Sequence, residues 1–282
     1  MKGLSGVTVG REKFTDFDYA DNVALPVSSV DSLTTCLGGF SEASQTMGLN
    51  VSWPKTKVQC LGASQVVTGI SVMGQEVEMV DQFCYFGSIQ DSGGRCRPDI
   101  LRRLGIASSS MNALARVWSQ GRLSLKSKLR LYQTCILPVL LYGSDTWTLL
   151  KADVNRLQAF HMRCQRRILG VKWQDKIRNV TISEKTGLPP VTDIIEARRA
   201  ALFGHVVRLG ERTPAHRVLR IAVRTRLGIS PSASWKRPPG RPRDAWLKPF
   251  LRSSTSLETQ WEDARNRSHG QPAQRLLPDM RP

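Results

Sequence analysis

Long apolar runs are missing from this sequence. None approaches the roughly 18–20 residues that a membrane-crossing helix needs, so no membrane partner is expected. The amino-terminal MKGLSGVTVG has no long apolar stretch behind Lys2, which argues against a secretory signal and for an intracellular chain, nuclear or cytoplasmic. Closely paired cysteines are missing as well. Cys36, Cys60, Cys84, Cys96, Cys135 and Cys164 lie far apart with no CxxC pair, so disulfides are not expected and most of them read as small buried hydrophobes. No internal repeat is present.

What is there is enough for a folded protein. The 282 residues, 40% of them hydrophobic, suffice for one large domain or two modest ones with a real core. The charge is lopsided. Residues 1–150 hold 14 basic and 12 acidic side chains, a net of +2, whereas residues 151–282 hold 27 and 11, a net of +16. A basic half joined to a nearly neutral half points to a polyanion, nucleic acid first. The alternative is a solvated basic tail without a specific partner.

Along the chain the hydrophobic period changes. Phe17, Tyr19, Val23 and Leu25 flank Asp21-Asn22 at strand spacing, and an Asp-Asn pair suits a tight hairpin turn. A helix follows, capped by Ser29 or Asp31, with Leu33, Cys36, Leu37, Phe40 and Met47 on one stripe and Gly48 as its end. Strand-like pieces are expected at 56–61, 66–72, 76–80 and 83–89, turned by Gly62, Gly69 and Gly74.

From residue 98 the period is helical. Pro98 opens a helix with Ile100, Leu104, Ala107, Met111, Leu114 and Trp118 on one face. A second begins near Ser124 with Leu125, Leu129, Tyr132, Ile136 and Leu140, and Pro138 should kink or end it. A third, 151–169, turns Val154, Leu157, His161, Cys164 and Ile168 inward, and a fourth spans about 190–209. After residue 226 the chain is rich in Pro, Ser and Arg and reads as a disordered tail, with one short helix near Leu257–Arg267.

The chemistry-bearing constellation is Tyr19-Ala20-Asp21-Asn22 beside Asp16 and Asp18. Carboxylates crowded on a short hairpin repel one another unless a cation sits among them, and Mg²⁺ favours such oxygens. Nucleotidyl transfer clamps its attacking and leaving oxygens between two such ions. Solvated aspartates on a plain hairpin are the other reading.

The order of the following segments resembles the reverse transcriptases of LINE-type, non-LTR retrotransposons. Asp16-Phe17-Asp18-Tyr19-Ala20-Asp21-Asn22-Val23-Ala24-Leu25 is similar to their [F/Y]-A-D-D hairpin. Gly48-Leu49-Asn50-Val51 with Lys55-Thr56-Lys57-Val58 resembles their next palm motif, and Phe83-Cys84-Tyr85-Phe86-Gly87-Ser88 their primer-grip hairpin. Ile136-Leu137-Pro138-Val139-Leu140-Leu141-Tyr142-Gly143-Ser144-Asp145-Thr146-Trp147 is similar to a thumb-side segment. Arg166-Arg167-Ile168-Leu169-Gly170-Val171 and Phe203-Gly204-His205-Val206-Val207-Arg208 fit the region after it.

The resemblance implies an α+β fold. A partial palm over 1–92, with short antiparallel strands, a helix and the primer-grip hairpin, would precede a mostly helical thumb and post-thumb region over 93–225, then a disordered Pro/Arg-rich basic tail over 226–282. It implies RNA-directed DNA polymerase chemistry on an RNA template and a DNA primer or target. Asp21 would be the metal-binding carboxylate for Mg²⁺, and Asn22 stands where the family has a second Asp. Lys55 would lie near the incoming triphosphate as a general acid. Tyr85, Phe86 and Gly87 would sit under the primer terminus. The family's fingers and the palm strand with its other essential Asp should precede Phe14. Thirteen residues are too few to hold them, so the isolated chain is predicted to be inactive unless a missing amino-terminal part joins it.

Three further features have two readings each. Trp235-Lys236-Arg237-Pro238-Pro239-Gly240-Arg241-Pro242-Arg243 is similar to an AT-hook, whose Arg-Pro core lies in a narrow A·T minor groove, and Trp246 completes a "GRP…W" segment of LINE-type tails. In that reading Lys236, Arg237, Arg241 and Arg243 contact DNA; in the other they belong to an inert linker. Arg163, Arg166 and Arg167 could track a template–primer backbone, in line with the thumb resemblance, or form a solvated charged face. His161, Cys164, His205 and His216 could hold a metal, but both helix residues lie on an apolar face, which favours core packing. A non-catalytic nucleic-acid-binding remnant and a plain helical interaction module remain as alternative functions.

Overall fold

The computed structural model describes residues 6–15, 17–19, 21–62, 69–233, 235, 246–251 and 256–266. Its strands are β1 (Val7–Val9), β2 (Glu12–Phe14), β3 (Phe17–Tyr19), β4 (Asn22–Ala24), β5 (Lys57–Val58), β6 (Ile70–Val72), β7 (Gln75–Met79), β8 (Gln82–Tyr85) and β9 (Ser88–Asp91). Its α-helices begin with α1 (Val30–Thr46), α2 (Arg97–Ala113), α3 (Ala115–Ser119), α4 (Leu125–Leu131), α5 (Leu137–Leu140) and α6 (Lys151–Leu169). They continue with α7 (Asn179–Thr186), α8 (Val191–Arg208), α9 (Pro214–Arg226), α10 (Lys248–Leu251) and α11 (Leu257–Asn266). The chain is thus mixed α and β, as expected. Among the described residues no helix is long and apolar enough to cross a membrane.

Two compact units form. One comprises Met1–Phe83, Asp91–Gly94 and Leu209–Arg241; the other comprises Cys84–Gln90, Arg95–Arg208 and Pro242–Pro282.

The first unit is built from small sheets. β1–β2 and β3–β4 are separate antiparallel hairpins, and β7 lies between β6, antiparallel to it, and β5, parallel to it. The parallel β5–β7 pair departs from the all-antiparallel expectation. Helix α1 covers this sheet: Leu33 and Leu37 pack with Ile70, Val72, Val77, Val58, Met79 and Trp53. Ser29 caps α1, its Oγ accepting from Ser32 N at 3.2 Å. Met47 is the correction here. It is the residue after the helix end, outside the helical stripe, and is 77% exposed.

Two elements of this unit carried no expectation from sequence. The β1–β2 hairpin turns at Gly10, whose φ is +65° and whose absent Cβ would press on the Pro231 carbonyl at 2.4 Å. Helix α9 then brings Arg217 and Arg220 onto Glu12, with Arg217 Nε donating at 2.7 Å and Arg220 Nη2 at 2.8 Å. The Arg217 guanidinium also lies 4.9 Å from the centre of the Phe14 ring. The Arg217 hydrogen bond is the main reason the Glu12 carboxyl titrates below its usual range.

The second unit has a large helical core. Ile100, Ala107, Met111 and Trp118 of α2 and α3 meet Tyr132, Ile136, Leu140 and Leu141, and Leu157, Phe160, Cys164 and Ile168 of α6, with Val191 and Ile195 of α8. Between α4 and α5 the chain makes a wide π turn over Tyr132–Ile136, and the Leu137 amide donates to Tyr132 O. The wider turn accommodates Pro138, whose ring has no amide to give and would clash in a regular α-helix, and Pro138 opens α5 rather than ending a helix. Leu125, expected inward, is 37% exposed on the first turn of α4.

In the tail the expected short helix forms as α11 (Leu257–Asn266), and residues 246–251, read from sequence as disordered, pack as well. Phe250 stacks on Phe203 at 4.6 Å between ring centroids, and Trp261 meets the same ring edge-on at 6.2 Å. Trp246 donates from its indole to the Asp145 carbonyl, and Gln260 Nε2 to Phe250 O at 2.8 Å. Phe250 and Trp261 carry this cover for α8, a signal that average composition hides.

Candidate functional site

The Asp21 hairpin forms at the expected place with its turn one residue early. β3 and β4 pair in the register Phe17↔Ala24, Asp18↔Val23 and Tyr19↔Asn22, so Asp21 stands in the turn and Asn22 opens the second strand. Asp21 is exposed, and its Oδ1 accepts from Asn22 Nδ2 at 3.1 Å. Asp16 and the side chain of Asp18 lie outside the described residues.

Whether magnesium fits here is a matter of donors. Among the described residues no three His, Cys, Asp or Glu side chains gather to hold a metal ion. One exposed carboxylate, with an oxygen already taken by an amide, does not make a Mg²⁺ site.

Lys55 lies exposed in the turn between α1 and β5, and among the described residues its ammonium has no ion pair or hydrogen bond. Lys57, two residues on, is spent on structure. It pairs with Glu78, its neighbour across the parallel β5–β7 register, and donates to Pro54 O at 3.1 Å. Asp21 and Lys55 belong to the first unit, whereas Tyr85, Phe86 and Gly87 belong to the second.

The Phe86-Gly87 turn is heavily braced. It joins β8 to β9 with both residues left-handed, Phe86 at φ +47° and Gly87 at +75°, the arrangement that follows the twist of a two-residue hairpin. A bulky residue at positive φ is strained and persists only where its surroundings hold it. Here they do. Tyr142 Oη donates to Phe86 O at 2.8 Å, and Arg102 Nη1 to Gly87 O at 2.8 Å. Arg103 Nη2 donates to the same Gly87 carbonyl, with its guanidinium 4.2 Å from the centre of the Tyr142 ring.

One buried carboxylate ties this hairpin to the helices. Asp99 Oδ1 accepts from Ile89 N at 3.0 Å and Oδ2 from Trp147 Nε1 at 2.8 Å, with Arg103 Nε 3.9 Å away. Gly143, at φ +70°, lets the Tyr142 loop close over Ser88, whose Oγ would stand 2.7 Å from any added Cβ. Arg199 holds Trp147 O, and Arg198 Nη1 donates to Leu141 O at 2.6 Å. Thr148 N donates to Cys96 Sγ at 3.0 Å, and burial nevertheless raises that thiol's pKa. Segment 141–148 is therefore a bracket between hairpin, α2 and α8. Sequence reasoning quoted Tyr142 and Trp147 within a motif but gave roles to none of Asp99, Arg102, Arg103, Tyr142 and Trp147. Pro98-Asp99 at a helix start, an aspartate on the apolar side of α2, was the one signal available.

The arginines of α6 divide. Arg163 is exposed and makes no ion pair or side-chain hydrogen bond among the described residues. Arg166 instead donates from Nη2 to Ile177 O at 2.8 Å and to Asn179 Oδ1 at 2.7 Å, and Arg167 from Nη1 to Asn112 Oδ1 at 2.7 Å. Lys236, Arg237, Arg241 and Arg243, and with them the AT-hook segment, lie outside the described residues.

His161 and Cys164 are core residues. Tyr132 Oη donates to His161 Nδ1 at 2.7 Å, and His161 Nε2 donates to the Pro189 carbonyl at 3.2 Å, which fixes the neutral tautomer. Burial pulls the His161 pKa down to about 4 and pushes the Cys164 thiol up to about 12. None of the six cysteines is in a disulfide among the described residues. Only Cys36 and Cys164 are fully buried, while Cys84 and Cys135 are exposed, contrary to the expectation for most of them.

The chain is similar to a putative uncharacterized transposon-derived protein of Caenorhabditis elegans, at 25% identity over 207 residues that cover 71% of this chain and 74% of that protein. The likeness points to a transposon origin. No model of a known protein family matches the chain, and no solved structure matches it.

Proposed function

We propose that the chain carries the primer-holding and duplex-holding part of a non-LTR retrotransposon reverse transcriptase. The carrying observation is the braced Phe86-Gly87 turn, whose strained, fixed backbone beside the 43%-exposed Phe86 ring suits a rest for a primer's terminal nucleotide. The order of motifs around it and the likeness to a transposon-derived protein support the same reading. In it, Asp21 and Lys55 face the nucleotide, and Mg²⁺ would need carboxylates beyond those described. RNA template and DNA primer are the partners.

Fluorescence anisotropy with RNA–DNA hybrids tests this. At one salt concentration the full chain should prefer a recessed 3′ end over a blunt end of equal length, and Phe86→Ala should erase that preference. Equal binding of both ends by the unaltered chain refutes the reading. Primer extension by the chain alone is expected to fail. A Mg²⁺-dependent product that vanishes in Asp21→Ala would overturn that expectation.

A second reading is favoured by the Asn22 amide, which occupies the Asp21 oxygen a metal would want. In it the chain binds nucleic acid through its basic half without catalysis. Recessed and blunt ends would then bind alike, with affinity falling steeply in salt.

A further inference from the structure

The loop between α6 and α7 presents an aromatic ring among cations. Trp173 is 80% exposed, the most exposed aromatic side chain among the described residues. It sits on a single 3-10 turn, Trp173–Asp175, flanked by the exposed Lys172, Lys176 and Arg178. A large apolar ring standing alone in water has no folding benefit to explain it.

The loop is built to hold that position. Lys172 N donates to Asp175 Oδ2 at 2.8 Å, which also occupies the loop's only carboxylate. Lys176 turns the chain back at φ +50°, a costly conformation for a side chain of that length. From beneath, the Arg166 guanidinium straps the loop's far end, at the Ile177 carbonyl and the Asn179 side chain. Among the described residues Lys176 and Arg178 have no ion pair and no side-chain hydrogen bond. Their charges are available.

We infer that this loop is a binding site for unpaired nucleic acid, in which a base stacks on Trp173 while Lys172, Lys176 and Arg178 meet the flanking phosphates. Stacking on an aromatic face is open to any base that is not already stacked, so a single strand can use the ring and an intact duplex cannot. The cations exclude an acid-poor apolar partner, because a hydrophobic protein surface would have to desolvate all three of them. The inference is independent of the polymerase reading, since it needs no primer terminus and no metal.

Full-length chain should be titrated with labelled oligo(dT), oligo(U) and a blunt duplex of equal charge. Trp173→Ala should weaken both single strands by roughly tenfold to a hundredfold, the size of a lost stack, and leave the duplex within twofold. Trp173→Phe should restore most of the loss. Lys172→Gln and Lys176→Gln should each lower the single-strand salt slope by roughly 0.7, whereas Trp173→Ala should leave that slope unchanged. Which homopolymer binds tighter assigns the strand as DNA or RNA. An unchanged single-strand affinity in Trp173→Ala, or an equal loss on the duplex, overturns the site. So does a Trp173-dependent change of mass in sedimentation, which would assign the ring to a protein contact.

Discussion

Two short hairpin turns were expected to serve one active centre, and they are held in opposite ways. The Phe86-Gly87 turn is gripped by Tyr142, Arg102 and Arg103, with Asp99 beneath it binding both the hairpin and Trp147. Among the described residues, the Asp21 side chain is held by its neighbour Asn22 alone. The difference follows from surroundings. The first is covered by helices that share a continuous core, whereas the second belongs to a separate two-stranded sheet, the kind of element that is marginal without further strands.

The largest effect should come from removing the carboxylate under the braced turn. Asp99→Ala leaves buried Arg103 without its counter-charge and strands the Ile89 and Trp147 donors. It should cost about 3–5 kcal/mol in urea unfolding. A loss below about 1 kcal/mol would mean that the brace is incidental.

Acid should separate the two units next. Unfolded His161 binds its proton near pH 6.5, the buried one only near pH 4, so the unfolded state holds more protons between those values. The second unit is fully stable above about 6.5 and should lose on the order of 3 kcal/mol as pH falls toward 4. Glu12 has a lowered folded pKa, so its contribution to the first unit is intact above its ordinary 4.5 and fades only below it. Circular dichroism in urea across pH 7 to 4 should show the slope, and His161→Gln should flatten it. A pH profile that is flat in the unaltered protein contradicts the buried neutral imidazole.

A smaller effect sharpens the same contrast. Tyr142→Phe removes one hydrogen bond to the strained turn and should cost about 1 kcal/mol. Hydrogen exchange in residues 84–90 should speed roughly fivefold, with no change around β3 and β4. Uniform acceleration of both hairpins would show that Tyr142 acts on global stability rather than on its turn.

The least perturbing change is at the loosely held tip. Asn22→Asp should shift stability by less than about 0.5 kcal/mol, since both residues are exposed. It also frees Asp21 Oδ1 and adds a charge. In the polymerase reading a Mg²⁺-dependent rise in melting temperature should then appear; none would favour the non-catalytic reading.

Legibility from sequence tracked the range of the interaction. The Ser29 cap, the β3–β4 hairpin, α6 and α8 rest on neighbours a few residues apart, and their residue types announced them. Asp99 and Trp147 stand 48 residues apart, Tyr142 and Phe86 56, and Arg217 and Glu12 205, and no local pattern reports such pairs. Arg166 and Arg167 show the same limit on function. Their charges counted toward a nucleic-acid face, yet their guanidiniums are occupied by Ile177, Asn179 and Asn112.

By itself the sequence determined the mixed α and β class, the hairpin around Asp21, most helix spans and the concentration of positive charge after residue 150, because these depend on spacing, caps and composition. Only the tertiary structure decided that α9 returns to β1 and β2, that the tail aromatics cover Phe203, and that segment 141–148 clamps the Phe86-Gly87 turn. Those outcomes rest on which distant donors, acceptors and apolar faces are left unsatisfied once the local elements exist, and that is settled by packing in three dimensions.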